Sequence, residues 1–280
     1  MHQRNYHALK IINRIIIYSL VVLAVFLSLS PIIYLFITSF KEPDLTFAIP
    51  PVWNFTPTVQ NYREVLSTTN FSKYFMNSVS IALITVGIAM LLGTLAAYGF
   101  SRFRFRGKFW LKMGALVPQM LPPIVLVVPL YVLFNRLDWI DTRQALIVSY
   151  LTFTIPLAIW MMTGFFDDVP IELEEAAMID GCSRFGALFR VSLPLVVPGM
   201  AATAILAFIY CWNEFLYAVI LTGREARTLP VIITSFMTNK SILWGRIAAS
   251  GSLVLIPVII FALLAQRYLV RGLGKGAVKG

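Results

Sequence analysis

The sequence predicts an all-α integral membrane protein with six transmembrane helices, and three observations lead to that prediction. Of the 280 residues, 59% are hydrophobic and only 13% are charged, whereas roughly a quarter of a typical soluble domain is charged. A soluble core of this size cannot bury so much hydrocarbon, so the lipid bilayer is the expected solvent. Apolar stretches long enough to cross about 30 Å of hydrocarbon recur six times along the chain.

The six predicted spans follow these stretches in order. The first begins after a basic segment with Arg4, Lys10 and Arg14, which is also typical of a signal peptide. Its apolar run continues past Pro31 to Phe40, however, so we interpret it as an uncleaved span. The approximate bounds of the six spans are 15–37, 75–100, 110–134, 145–165, 198–221 and 247–268.

Proline and glycine mark irregular points in two of the spans. Four prolines in the third span predict a bent or broken helix, because proline lacks the backbone N–H that a helix interior uses. These are Pro118, Pro122, Pro123 and Pro129. Close packing against a neighbouring helix is predicted for the second span by its three glycines, Gly87, Gly93 and Gly99.

The distribution of Lys and Arg sets the predicted orientation. Six spans leave both termini on one side, and placing them in the cytoplasm puts more basic residues inside than outside. The short loop SRFRFRGK at 101–108 decides the choice, because short loops follow the positive-inside rule most closely. Loops 41–73 and 222–246 then face outward. The net charge of +10 can also indicate nucleic-acid binding, but basic span ends explain it, so we expect no nucleic-acid partner.

The predicted organisation has four parts. Residues 1–40 hold the cytoplasmic N-terminus and the first transmembrane helix, and residues 41–73 form an external loop. Residues 74–268 form a core of five transmembrane helices that includes a polar cytoplasmic segment at 168–196. Residues 269–280 form a cytoplasmic tail.

The polar segment between the fourth and fifth spans has the pattern of two short helices joined by a tight turn. Asp167 and Asp168 predict a capped helix start, since aspartate accepts from free backbone N–H groups. Gly181 suits the left-handed residue that ends a helix, and Ser183 can cap the second helix. Leu193-Pro194 predicts a break before the chain re-enters the membrane. From spacing alone, an ordinary surface loop is an equal alternative.

The sequence EEAAMIDGCSRFGALFRVSLP at 174–194 resembles the EAA signature of permease subunits of ABC (ATP-binding-cassette) importers. That signature is Glu-Ala-Ala, three residues, Gly, nine residues, Ile, any residue and Leu-Pro. Here it consists of Glu175-Ala176-Ala177, Gly181, Val191 and Leu193-Pro194, with Val for Ile as the single departure.

Two further stretches resemble carbohydrate-uptake permeases of the maltose type. They are CWNEFLYAVILT followed by RTLPVII at 211–233, and QRYLVRGLGKGAVKG at 266–280. The resemblance implies the type I ABC importer permease fold, in a bacterial cell membrane, and a chain that translocates a sugar or related solute. It implies as partners a second homologous permease, two ATPase subunits that bind ATP and Mg, and an extracytoplasmic solute-binding protein.

The resemblance also implies where the chain meets the ATPase subunits. In this family the polar segment is the coupling helix, and the C-terminal tail reaches into the nucleotide-binding subunit. The implied coupling residues are Glu174, Glu175, Ala176, Ala177, Asp180, Gly181, Val191, Leu193 and Pro194. The implied tail contacts are Gly276, Ala277, Val278, Lys279 and Gly280. A solvated basic end near anionic lipid is the alternative for the tail.

Glu214 is the single acid within the predicted spans, and an ionisable group there is costly enough to indicate a role. The role is either contact with the solute path or a structural hydrogen bond near the outer end of its helix. Its neighbours Trp212, Asn213 and Tyr217 suit a sugar, because rings stack on sugar faces and amides bond hydroxyls. Tryptophan and tyrosine also anchor helices at membrane interfaces, which is the alternative.

Several catalytic motifs are absent from the sequence. It has no GxxxxGK[ST] loop and no GxSxG elbow, so we expect neither ATP binding nor a catalytic residue in this chain. Its two histidines, His2 and His7, precede the first span, which excludes a histidine-based metal site within the spans. We therefore expect this chain to bind no cofactor and a separate subunit to hydrolyse ATP.

Two other function classes compete with an ATP-driven permease. An ion-coupled secondary transporter needs buried acids along its path and an internal repeat, but Glu214 is the single candidate acid and no repeat is evident. An intramembrane enzyme needs a nucleophile, metal or histidine motif that the sequence lacks. The sequence leaves open whether the solute is a sugar, a polyol or a sugar phosphate.

Overall fold

A computed structural model describes residues 2–237 and 242–274, which form helices and turns and no strand longer than a single bridge. The α-helices are α1 (His2–Ser39), α2 (Gln60–Thr68), α3 (Phe71–Arg102), α4 (Lys108–Met120), α5 (Pro123–Arg136), α6 (Arg143–Asp167), α7 (Ile171–Ile179), α8 (Arg184–Ala187), α9 (Leu193–Asn213), α10 (Leu216–Leu221), α11 (Leu229–Ile232) and α12 (Trp244–Gly274). Short 3₁₀ helices cover Pro43–Phe47 and Ile233–Phe236. The chain divides into unit 1, Met1–Thr69 with Phe236–Leu253, and unit 2, Asn70–Ser235 with Val254–Gly280.

Five helical stretches of the described residues are long and apolar enough to cross a membrane. They are Ile12–Ser39, Phe71–Arg102, Arg143–Asp167, Arg184–Asn213 and Trp244–Leu264. A sixth span results when α4 and α5, which meet at a bend of 92°, are taken as one broken span. The bend falls at Leu121 and Pro122, because each of these precedes a proline and adopts extended backbone angles. The predicted break in the third span is therefore confirmed, although Pro118 and Pro129 lie within helices without ending them.

Two predicted features near the fifth span are wrong. The helix break predicted at Leu193-Pro194 is absent. Instead α8, a π turn (Leu188–Ser192) and α9 form one continuous helix. In the π turn the Leu193 N–H donates to the Leu188 carbonyl, one residue further back than in an α-helix. Proline breaks an α-helix through its clash with the preceding turn, and the wider turn is the physical reason that this helix continues. The helix then ends at Asn213 instead of reaching residue 221, and α10 follows as a separate element.

The core of unit 2 lies where α3 packs against α6 and α9. Its largest buried side chains include Ile81, Phe134, Leu146, Tyr150 and Trp212. Glycine allows α3 to approach α6 closely at one point, since a Cβ at Gly93 would lie 2.4 Å from the Ala158 Cβ. Gly87 and Gly99 have open space around them. The close packing predicted for three glycines is therefore confirmed for Gly93 and wrong for the other two.

Unit 1 is held together around Asn61 and Lys41. The Asn61 side-chain amide donates to the carbonyl oxygens of Ser39 at 3.0 Å and Lys41 at 2.7 Å, which joins α2 to the end of α1. Arg246 Nε donates to Glu64 Oε2 at 2.5 Å, which joins α12 to α2. Lys41 is 2% exposed, and its ammonium faces three rings in a cation–π arrangement that compensates for lost water. The rings belong to Tyr34, Trp53 and Phe55, with centroids 5.5–5.7 Å away.

Asp141 joins two loops at the end of unit 2 that is predicted to face outward. It lies between α5 and α6, and its carboxylate accepts from the backbone N–H groups of Arg224, Glu225 and Ala226 at 2.9–3.1 Å. Burial raises the pKa of Asp141, but these backbone donors lower it by more, so the net pKa lies below the usual range. A Cβ at Gly223 would lie 2.8 Å from Asp141 Oδ2, so a side chain at this position would displace the carboxylate. Asp141 therefore fixes the start of the loop that follows α10.

Replacing Gly93 with Ala is expected to push α3 away from α6, whereas the same change at Gly87 is not. A Cβ at Gly93 collides with Ala158, and overpacking of this kind costs about 1–3 kcal/mol. At Gly87 the Cβ meets open space, so the gain in helix propensity, up to about 1 kcal/mol, is unopposed. The thermal unfolding midpoint of the purified protein should fall for Gly93→Ala and hold or rise for Gly87→Ala. Equal midpoints in the two variants would contradict the packing assignment.

Replacing Asp141 with Asn is expected to loosen the loop that follows α10. The amide has no charge and presents N–H₂ in place of one carboxylate oxygen, so at least one backbone donor loses its acceptor. Hydrogen exchange at the amides of residues 224–226 should accelerate by about tenfold, or ~1.4 kcal/mol. Asp138→Asn, an exposed position in the same connection, is the control and should exchange like the wild type. An unchanged exchange rate in Asp141→Asn would contradict the inference that the carboxylate holds residues 224–226.

Candidate functional site

The polar segment folds as a helix, a tight turn and a second helix, as its sequence predicts. α7 ends just before Gly181, which has the left-handed φ of +91°. The Cys182 N–H donates to the Ala177 carbonyl, five residues back, at 3.0 Å, which is the 6→1 hydrogen bond of a Schellman motif. Ser183 then caps α8, because its hydroxyl accepts from the Gly186 N–H at 3.1 Å.

The start of α7 differs from the prediction. Asp167 is the last residue of α6, and its carboxylate accepts from the Ser101 hydroxyl at 2.5 Å. Asp168 follows as the C-terminal cap residue of α6. The residue before α7 is Pro170, which offers no side-chain acceptor. Neither aspartate caps α7, because α6 extends further than its hydropathy indicates.

α7 and the turn present small and apolar groups at the surface. The exposed or half-buried members of the expected coupling set are Glu175, Ala176, Ala177, Asp180 and Gly181. Beside them, Ile179 is 86% exposed and Phe185 is 73% exposed, and such large apolar side chains on a polar segment indicate an interaction surface. Val191, Leu193 and Pro194 lie apart from this surface, in the π turn and the first turn of α9. The expected tail contacts at 276–280 lie outside the described residues.

Glu174 is placed differently from its neighbours. Its side chain is 4% exposed, and its carboxylate accepts from Tyr98 Oη at 2.9 Å, from Arg102 Nε at 2.6 Å and from the Ser192 hydroxyl. Burial raises the pKa of Glu174, but hydrogen bonds from Ser192, Arg102 and Tyr98 lower it by more, so the net pKa lies below the usual range. The Glu174 carboxylate therefore lies outside the exposed surface of α7, unlike the other α7 residues expected to meet an ATPase subunit.

Sequence reasoning missed the three partners of Glu174. Tyr98 and Arg102 lie 76 and 72 residues away along the chain, and Ser192 lies 18 residues away, so no local pattern connects them. Arg102 counted as a loop charge in the orientation argument, yet its side chain is 6% exposed and paired. The available signal was an arginine in the last turn of one long apolar helix and an acid in the first turn of the polar helix.

A cavity of about 740 Å³ lies within unit 2. Its lining combines aromatic rings with a small number of polar side chains, which is typical of small-molecule sites. The aromatic lining residues are Phe153, Trp160, Tyr210, Phe215 and Tyr217. The polar lining residues are Gln119, Thr152, Asn213 and Glu214.

The structure brings together three of the four residues expected near a solute path. Asn213, Glu214 and Tyr217 line the cavity. Trp212 is 1% exposed, and its indole N–H donates to the Val254 carbonyl at 3.1 Å. The side chain of Trp212 therefore belongs to the core of unit 2, which corrects the expectation that it faces the path.

Glu214 lies at the break between α9 and α10 and has a structural role there. Its Oε1 accepts from the Tyr217 N–H at 2.9 Å, and its Oε2 accepts from the Ala218 N–H at 3.2 Å. These N–H groups belong to the first turn of α10, where a helix leaves its donors without internal partners. The structural hydrogen bond expected of Glu214 is therefore present, on a residue that also lines the cavity.

Sequence comparison identifies the family. The model for the inner membrane component of binding-protein-dependent transport systems matches residues 89–275. The trehalose/maltose transport system permease protein MalG of Thermococcus litoralis is 38% identical over 275 residues, which cover 97% of this chain and 99% of that one. The trehalose transport system permease protein SugB of Mycobacterium tuberculosis is 40% identical over 256 residues, covering 90% and 93% of the two chains.

Structural comparison shows a fold shared with solved transporter chains. A chain of a bacterial ABC transporter that imports the acidic polysaccharide alginate has a TM-score of 0.72 at 22% identity, covering 92% of this chain and 96% of that one. An alginate transporter in complex with a periplasmic protein bound to alginate pentasaccharide has a TM-score of 0.69 at 16% identity, covering 91% and 94%. These likenesses show the type I ABC importer permease fold. The chain thus belongs to the family of inner membrane components of binding-protein-dependent transport systems, as a multi-pass permease of the bacterial inner membrane.

Proposed function

We propose that this permease is one of two homologous membrane subunits of an ATP-driven importer for a sugar or related solute. The family description and the alginate transporter complex support delivery of the solute by an extracytoplasmic binding protein. Two separate nucleotide-binding subunits bind ATP with Mg and hydrolyse it. The permease chain itself holds no catalytic residue and no cofactor.

The exposed surface of α7 and its turn is the observation that carries this proposal. Ala176 has only a methyl group and Gly181 has no side chain, so another protein can approach the backbone closely there, and Glu175 adds a charge beside them. Ile179 and Phe185 offer exposed apolar area that a groove can bury. We infer that a nucleotide-binding subunit docks on this surface and drives α7.

The remaining residues of the coupling set, at positions 191, 193 and 194, lie outside this exposed surface. Val191 and Leu193 are half-buried, so we assign them to holding the second helix against the bundle. Pro194 is exposed in the first turn of α9 and marks the exit of the coupling segment. The tail at 276–280 is proposed as a second contact with the nucleotide-binding subunit.

The chemistry of the cavity supports a sugar as the solute. Ring faces such as those of Trp160 and Tyr210, which are exposed, stack on sugars, and Gln119 and Asn213 offer amides that bond hydroxyls. The names of the relatives in T. litoralis and M. tuberculosis specify maltose or trehalose. Glu214 has a structural role at the start of α10, where both of its carboxylate oxygens accept from backbone N–H groups. The match to the family of binding-protein-dependent transport systems disfavours an ion-coupled transporter.

Uptake is expected to require ATP and to tolerate loss of the proton gradient. The solute is first chosen by calorimetric titration of the cognate binding protein with a panel of sugars, polyols and sugar phosphates. The complete transporter in proteoliposomes should then accumulate that solute when ATP and Mg reach the ATPase subunits, with or without a protonophore. Vesicles without ATP are the control. Uptake that survives without ATP and collapses with the protonophore would establish the ion-coupled alternative instead.

Replacing Gly181 with Val is expected to uncouple ATP hydrolysis from uptake, whereas Gly181→Asn should preserve coupling. A Cβ at Gly181 meets no atom within 4 Å, so any effect comes from the left-handed backbone and not from a clash. That conformation costs a β-branched residue about 1–2 kcal/mol, while asparagine tolerates it. Solute uptake per ATP hydrolysed should fall by about fivefold or more for Val. Normal uptake and solute-stimulated hydrolysis in Gly181→Val would count against the role of this turn.

A further inference from the structure

α7 carries two adjacent glutamates with opposite surroundings. Glu175 is exposed, whereas Glu174 is buried in a salt bridge with Arg102. A buried ion pair adds little stability, because the desolvation of both charges offsets their attraction. Removing one partner is costly, however, since it leaves the other charge buried and unpaired. The pair is therefore better suited to fixing the geometry of its two helices than to raising stability.

The groups that surround the Glu174 carboxylate come from separate elements. Tyr98 and Arg102 lie in the last two turns of α3, and Ser192 closes the π turn that leads into α9. A further Arg102 nitrogen donates to the Val169 carbonyl at 2.9 Å, in the connection from α6 to α7. The carboxylate and the guanidinium together tie α7 to α3, to the α6–α7 connection and to the start of α9.

An apolar cluster encloses this network. Its buried members include Tyr98, Phe166, Val169, Leu188 and Val196. The Tyr98 ring lies edge-on to Phe166 with centroids 5.5 Å apart, which holds the phenol oxygen toward Glu174. Because an apolar environment strengthens paired polar groups and penalises unpaired ones, α7 cannot shift alone without a large cost.

We propose that Glu174 is a positioning residue that makes α7 move as one body with the end of α3 and with the π turn. Force received on the exposed side of α7 then reaches two spans through side chains, in addition to the backbone connections of α7 to α6 and α8. The inference rests on the proposed function, since it requires a separate ATPase that drives α7.

A purely structural brace and a positioning residue give different results. Loss of a brace lowers the amount of folded transporter, so uptake and ATP hydrolysis fall in equal proportion. Loss of a positioning residue leaves ATP hydrolysis in the assembled transporter and lowers the amount of solute moved per ATP. The ratio of uptake to hydrolysis therefore separates the two roles.

The experiment uses the complete transporter in proteoliposomes and compares Glu174→Gln, Tyr98→Phe and Glu172→Gln with the wild type. Gln keeps the shape of the side chain and removes the charge that pairs with Arg102. Phe keeps the Tyr98 ring and removes one donor to the carboxylate. Glu172 is exposed in the first turn of the same helix and provides the matched control. Uptake, ATP hydrolysis and the amount of assembled complex are measured on the same vesicles.

Glu174→Gln should lower the solute moved per ATP by about fivefold or more, the lower end of typical coupling between sites. Tyr98→Phe should lower it in the same direction and by less, and Glu172→Gln should match the wild type. A wild-type ratio in Glu174→Gln overturns the positioning role. So does a fall of uptake and hydrolysis in step with the loss of assembled complex.

The double variant Glu174→Gln with Arg102→Gln tests the role when too little of the single variant assembles for its ratio of uptake to hydrolysis to be measured. It leaves no unpaired buried charge, so its thermal midpoint should return toward that of the wild type. Its transport ratio should stay low, and recovery of both quantities would overturn the inference. Failure of the proposed function is distinguishable, because wild-type uptake would then proceed without ATP hydrolysis whatever the variants do.

Discussion

Hydrocarbon offers no hydrogen-bond partner to a polypeptide, and this constraint accounts for the main irregular features of the spans. Where α9 stops, the Glu214 carboxylate accepts from the first N–H groups of α10, so the break leaves these donors paired. Within α6 the hydroxyls of Ser149, Thr154 and Thr163 donate to carbonyls four residues back, which pairs each polar side chain inside its own helix. At these positions the backbone donors of the α9–α10 break and the hydroxyls within α6 each have a hydrogen-bond partner nearby in the chain.

The α4–α5 bend and the α9–α10 break border the same cavity. Residues at the α4–α5 bend and residues 213–217 at the α9–α10 break both contribute to its lining. Irregular backbone at membrane depth is tolerated where it faces a cavity or protein and not where it faces lipid. The bend and the break therefore both face the cavity, and the Gln119 and Asn213 amides both line it.

The polar segment between the fourth and fifth predicted spans reverses the usual arrangement of a surface helix. A helix on a soluble domain turns its apolar side inward and its charges outward. α7 instead buries the Glu174 carboxylate against Arg102 and leaves Ile179 exposed. The inward side holds the helix to the ends of two spans through directional bonds, and the outward side offers apolar area and small residues. Such a division suits an element that receives a protein partner on one side and passes on its displacement on the other.

The sequence by itself determined the all-α membrane class, the break in the proline-rich third span and the left-handed turn at Gly181. These features depend on composition and on backbone chemistry within a few residues, so a local pattern contains the needed information. Only the tertiary structure decided that Glu174 is buried beside an exposed neighbour, that Trp212 belongs to the core, and that Gly93 alone among three glycines meets another helix. Each of these outcomes depends on residues far away along the chain, and the periodicity of one helix does not specify which of its sides those residues will meet.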